Sequence, residues 1–179
     1  MNYYGGKELA ASFRTVRKNT IAIAQDLPEE KYSFRAATET RSVGEMLAHI
    51  ALAPTFQRQI HGERRTTLEG FDFPALMQRL HADEKAPRTK AQVIELLTKD
   101  GEALATWMEG LDETFLGESL TMPPGGTPPS RTRFDMILSV KEHEMHHRGQ
   151  LMLIERILGI VPHLTRRQQE RREAAAAKK

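Results

Sequence analysis

Apolar residues recur at helical spacing along most of the chain. From about Gly6 to Leu27, the residues Leu9, Phe13, Val16, Thr20, Ile23 and Leu27 follow at steps of 4, 3, 4, 3 and 4, which is one face of a helix. Pro28 ends it, and the following EEKYSFRAATET keeps neither helical nor strand period, so an ordered connector is expected there. Ser42 opens Ser-Val-Gly-Glu, a capping-box pattern in which the hydroxyl and the Glu45 carboxylate satisfy free amides reciprocally. A second helix follows, with Val43, Met46, His49, Ala53, Phe56 and Ile60 on one stripe, a bend at Pro54 where a backbone donor is missing, and an end at Gly62. GERRTTLEGFDF reads as loop, and Pro74 to His81 as a short helix before an ADEKAPR connector. Thr89 caps a third long helix to about Leu111, with Val93, Leu97, Leu104, Trp107, Met108 and Leu111 inward. MPPGGTPPS can neither extend a helix nor join a central strand, so it is a surface crossing. The fourth long helix opens near Ser130 or Thr132 and closes at Gly159, with Pro162 beyond. No run of alternating β-branched residues interrupts this pattern. The expected fold is all-α, a four-helix bundle over residues 1–163 followed by a basic, Ala-rich helical tail over residues 164–179.

Composition narrows the picture. A chain of 179 residues suits one domain. No apolar run approaches the ~20 residues of a spanning helix, and the opening MNYYGGKELAAS lacks a basic start followed by an apolar stretch, so a cytoplasmic protein is expected, with no membrane partner. The absence of cysteine removes disulfides, thiolate metal ligands and a cysteine nucleophile together, leaving nitrogen and oxygen to hold any metal. The whole chain carries +2, but RRQQERREAAAAKK from Arg166 holds six basic and two acidic side chains, so the rest carries −2. No aromatic residue interleaves these charges, and a solvated helical end is the expected meaning rather than a nucleic-acid partner.

Candidate chemistry lies on the buried stripes. In the fourth helix Met136, Val140, His143, His147, Leu151, Ile154 and Leu158 recur at helical steps, so two imidazoles share an apolar face. Four residues turn the helix through about 400° with a rise of ~6 Å, which stacks His143 and His147 on adjacent turns. His49 repeats the anomaly between Met46 and Ala53. Helices in a bundle lie about 8–10 Å apart, a gap that two imidazoles with an ion between them span. Burying three rings without partners costs about 1–3 kcal/mol apiece, which favours one shared divalent ion. His146, His61, His81 and His163 fall off these stripes or near loops and are expected at the surface, while Trp107 and Phe56 are expected to pack.

His143 to His147 also spells H-E-x-x-H, in which a peptidase uses the glutamate as general base. The downstream positions of a third histidine hold Gln150 and Leu153, and Glu170 and Glu173 lie in the charged tail, so the peptidase is the weaker alternative. The string His143 to Leu151, H-E-M-H-H-R-G-Q-L, together with EEKYSFRAATETRSVGEMLAHIA upstream and ILG downstream, resembles the DinB/YfiT-like superfamily over most of Leu9 to Gly159. Between Gly62 and Pro129 the likeness rests on helix pattern, and the tail lies outside it. The resemblance implies a four-helix bundle with His49, His143 and His147 as ligands of a divalent metal. Some relatives are hydrolase-like, others transfer low-molecular-weight thiols such as bacillithiol onto electrophiles, and similar members commonly dimerise.

Three neutral imidazoles leave a coordination position open, as in catalytic rather than structural zinc sites. Zinc is the expected ion, then nickel. The same resemblance implies a small electrophilic substrate, a low-molecular-weight thiol and a homodimer as the expected partners. The alternative is a non-enzymatic metal-binding stress-response module. Glu144, about 100° around from His143, is by default solvated and otherwise a candidate for proton transfer, and Gln150 is a candidate hydrogen-bonding partner of a ligand.

Overall fold

In the computed structural model, which describes residues 4–177, the chain forms α1 (Gly6–Asp26), α2 (Val43–Leu52), α3 (Thr55–Gly62), α4 (Phe73–Glu84), α5 (Lys90–Glu109), α6 (Glu113–Gly117), β1 (Ser119–Thr121), β2 (Ser130–Thr132), α7 (Arg133–Ile157) and α8 (His163–Ala176). Met1 to Tyr3 of the opening segment and Lys178 and Lys179 of the basic tail lie outside the described residues. Helices α1 and α2 each pack against both α5 and α7, which closes the four-helix bundle, and α4 lies along α2.

The local signals operate as expected. Ser42 Oγ accepts from the Glu45 amide at 3.2 Å while Glu45 accepts from the Ser42 amide at 2.8 Å. Thr89 and Gln92 repeat the device on α5, and Thr132 caps α7 through the Asp135 amide at 3.1 Å. The bend expected at Pro54 is a break, because α2 stops at Leu52 and α3 restarts at Thr55. The periodic positions of α1 are all buried, from Leu9 to Leu27. They feed two apolar clusters: Ile23, Leu27, Leu47, Ile50, Leu97 and Leu151 near the histidines, and Leu9, Phe13, Leu104, Met108 and Ile137 toward the other end. Each fully buried aliphatic side chain contributes about 1.5–3 kcal/mol, so these faces hold the four helices in register.

Two expectations need correction and one gains detail. The Pro-rich crossing lies at the surface as expected, as the tip of a short antiparallel hairpin in which Ser119 pairs with Thr132, and the loop before α4 joins its edge, Leu68 N donating to Thr121 O at 2.9 Å. Strands of three residues are too short to show alternation in a sequence. Helix α4 runs to Glu84 rather than stopping at His81, placing a carboxylate expected in a connector on a helix against α2. His61 and His163 are not surface residues: they are 1% and 4% exposed. His163 opens α8, where its Nε2 meets Asn19 Oδ1 at 3.2 Å and Arg166 donates to Asp26 at 2.6 Å, so the first turn of the tail helix docks on α1.

Among the described residues no helix is long and apolar enough to cross a membrane.

Candidate metal centre

The histidines that periodicity placed on separate stripes meet. Helix α2 supplies His49 and α7 supplies His143 and His147, one turn apart. His143 Nε2 lies 3.1 Å from His49 Nε2 and 3.1 Å from His147 Nε2. Their candidate ligand atoms all fall within 4.8 Å of one another.

The outer nitrogens decide which tautomers are present. His49 Nδ1 is 3.0 Å from Glu84 Oε2, and a carboxylate can only accept, so the proton sits on Nδ1 and the Nε2 lone pair faces inward. Arg41 Nε donates to the other Glu84 oxygen at 2.5 Å, holding the carboxylate in place. Gln150 Oε1 lies 2.8 Å from His147 Nδ1 and Gln150 Nε2 lies 3.1 Å from His146 Nε2; with the amide in this orientation His147 Nδ1 donates, and its Nε2 lone pair also turns inward. Two lone pairs therefore face His143 Nε2, and that atom carries at most one proton. Hydrogen bonds alone leave one inward acceptor without a donor. A cation satisfies all three.

Electrostatics agree with this protonation. Burial pushes His49 down to about 4, assisted by Arg41 and opposed by Glu84. Burial also brings His143 to about 4, with His147 the next contributor, and lowers His147. All three rings are neutral near pH 7, the state a metal ligand requires. Tetrahedral coordination with zinc–nitrogen distances of ~2.0–2.1 Å separates the nitrogens by about 3.3 Å, close to the two 3.1 Å spacings that His143 makes, and the remaining pair lies within 4.8 Å, so the donor set could hold a divalent ion.

Glu144 is neither solvated nor turned toward this centre. It is 1% exposed, and Arg17 on α1 grips it through Nε at 3.0 and 3.1 Å and Nη2 at 3.0 Å. Gly101 on α5 leaves room for that arginine, since a Cβ there would stand 2.9 Å from Arg17 Cγ. A carboxylate so held lacks the free oxygen that the general base of H-E-x-x-H must present. Glu170 and Glu173, the remaining candidates for a peptidase ligand, are exposed on α8. The sequence reading missed Glu84 and Arg41. Metal-bound histidines usually donate to a carboxylate, which signals that such a partner exists but not which one it is.

A cavity of about 290 Å³ opens beside His49 and His143, walled by Leu52, Phe56, Phe73, Met77, Leu80 and Val140, with Glu84 and Gln57 at its polar edge. Phe56 packs edge-on against Phe71 and Phe73 and also lines this space. A wider, more polar basin on the other side of the centre is bordered by Arg35, Arg41, Lys85, His147 and Gln150.

Comparison with known proteins bears on the same elements. The family model of the DinB superfamily matches residues 12–151. Among solved structures, the crystal structure of a DinB-like protein, YjoA of Bacillus subtilis, superposes with a TM-score of 0.63 at 20% identity, covering 85% of this chain and 92% of that one. Comparison with curated proteins returned no match.

Proposed function

The chain belongs to the DinB superfamily, and from that premise we propose that His49, His143 and His147 hold a divalent ion, zinc by preference and nickel next, at which the protein transfers a low-molecular-weight thiol to, or hydrolyses, a small electrophilic molecule. The observation that carries this reading is the inward convergence of three Nε2 atoms whose outer nitrogens are occupied at His49 and His147. A bound ion would supply Lewis acidity, making a nucleophile of a thiol or a water at neutral pH.

The chain's own residues do the rest. Glu84, held by Arg41, keeps His49 in its ligand tautomer, and Gln150 does the same for His147. The carbon-lined cavity places an electrophile beside His49 and His143. In a transfer, the thiol sulfur bonds the electrophilic carbon, the leaving group departs with its electron pair, and the thiol proton passes to solvent. The open cavity favours this reading over a sealed, purely structural ion. A cytoplasmic homodimer without nucleic acid completes the proposal. The exposed apolar side chains Met145, Leu153 and Ile157 along α7 support self-association, and sedimentation mass checks it.

The first experiment is metal content. Wild-type protein is expected to purify with near-stoichiometric zinc or nickel, and His49→Ala and His143→Ala to lose it. Unchanged stoichiometric metal in His49→Ala overturns the ligand assignment. Conjugation of monochlorobimane with a panel of small thiols, measured by fluorescence, then tests the transfer chemistry.

A further inference from the structure

We propose that the carbon-lined cavity beside the histidines selects compact, single-ring molecules bearing one neutral hydrogen-bond acceptor, and that Gln57 on α3 is the residue that reads this acceptor. The inference rests on the functional reading above and names the substrate class for that site.

The orientation of Gln57 follows from a buried chain of hydrogen bonds. Arg133, 1% exposed, is anchored by Glu118 at 2.8 Å and by the Arg65 carbonyl at 2.9 Å. Its Nη1 lies 3.0 Å from His61 Nδ1. A guanidinium only donates, so Nδ1 must accept. Burial, with Arg133 adding to it, pushes His61 down to about 4, so the ring is neutral and its single proton is on Nε2. That proton is donated to Gln57 Oε1 at 3.0 Å. The Trp107 indole lies nearly parallel to the imidazole, with ring centres 6.3 Å apart. The Gln57 carbonyl is therefore committed to His61, and its amide nitrogen remains as a donor.

Gln57 is only 7% exposed and lines the cavity, and among the described residues its Nε2 has no hydrogen-bond partner. Ser139, a second polar group on the wall, already spends its proton on the Met136 carbonyl at 2.6 Å. An incoming hydrocarbon would leave the Gln57 N–H groups unpaired against carbon, whereas a carbonyl or ether oxygen would pair one of them. The volume lies at the low end of ligand pockets, roughly 300–1,000 Å³, which suits one ring with a short substituent.

The test uses full-length protein and two probes of matched shape, 4-fluoroacetophenone and 1-ethyl-4-fluorobenzene, titrated by ¹⁹F NMR line broadening. Wild type is expected to bind the ketone about five to ten times more tightly than the hydrocarbon. Gln57→Met, close in size but without a donor, is expected to weaken the ketone alone and bring the two within about twofold. Met77→Trp on the cavity rim is expected to displace both probes, and it remains informative if Gln57→Met fails to fold. Equal binding of the probes by wild type, persistence of the preference in Gln57→Met, or binding untouched by Met77→Trp each overturns the inference. Metal content measured on the same samples separates the two ideas: absent metal defeats the catalytic reading, whereas intact metal with no ketone preference defeats only this one.

Discussion

Removing Glu144 should damage the fold while sparing the metal centre. Glu144→Leu takes away every side-chain contact that the Arg17 guanidinium makes with a carboxylate, leaving a buried cation with two carbonyl acceptors, Leu97 O at 2.8 Å and Ile50 O at 3.3 Å. The two side chains are 4% and 2% exposed, so water cannot replace the lost partner without opening the interface between α1 and α7. Breaking a buried pair in this way costs about 3–5 kcal/mol, a large part of the roughly 5–15 kcal/mol that holds a domain folded. The double variant Arg17→Met, Glu144→Leu removes the orphaned charge as well and is expected to recover most of that loss, because burying two ions is itself costly. Urea unfolding followed by circular dichroism measures the effect: the midpoint should fall sharply in the single variant and return in the double one, at nearly constant slope. Metal content of the folded single variant should equal that of wild type. A cost below about 1 kcal/mol, or loss of metal without loss of stability, would refute the assignment of Glu144 to the core.

Other consequences follow from the same geometry. Glu84→Ala frees His49 to rotate, and metal affinity measured by chelator competition is expected to fall about 10–100-fold with all three ligands intact; an unchanged affinity contradicts the role given to Glu84. In metal-free protein, His49, His143 and His61 all sit at about 4 against the ordinary 6.5, so the folded state resists protonation that the unfolded state accepts. Their neutral forms cost nothing extra above pH 6.5, and stability is lost as pH falls from 6.5 toward 4, which denaturant midpoints at pH 7.5 and pH 5 will show; equal midpoints would contradict this. Glu155 has the opposite sign. Burial, then Asp26, raises it to about 7, and among the described residues both its buried oxygens lack partners. The folded state keeps a proton that the unfolded chain releases above about 4.5, so stability falls between pH 4.5 and 7. Glu155→Gln should raise stability by about 1–3 kcal/mol at pH 8 and change little at pH 4, with Tm at the two pH values as the check.

What the amino-acid order determined by itself was everything governed by a repeat along one helix. Steps of three and four put His49 on one apolar stripe and His143 and His147 on another, and the Ser42 and Thr132 caps marked where those stripes begin. Such signals are local, because neighbouring turns are neighbours in space whatever the rest of the chain does. The groups that only tertiary structure supplied come from other elements. Glu84 reaches His49 across 35 positions and Arg17 reaches Glu144 across 127, and no spacing rule links them. The errors share that cause. Glu144 lies off the stripe of His143, yet α7 packs against α1 as well as α2 and so buries a second face. His61 looked like a loop residue because the partners that bury it, Arg133 and Trp107, arrive from α7 and α5. A periodic pattern tells which face of a helix is apolar; which helix lies against each remaining face, and which polar atom meets which, is settled only when the packed helices bring distant side chains within hydrogen-bond range.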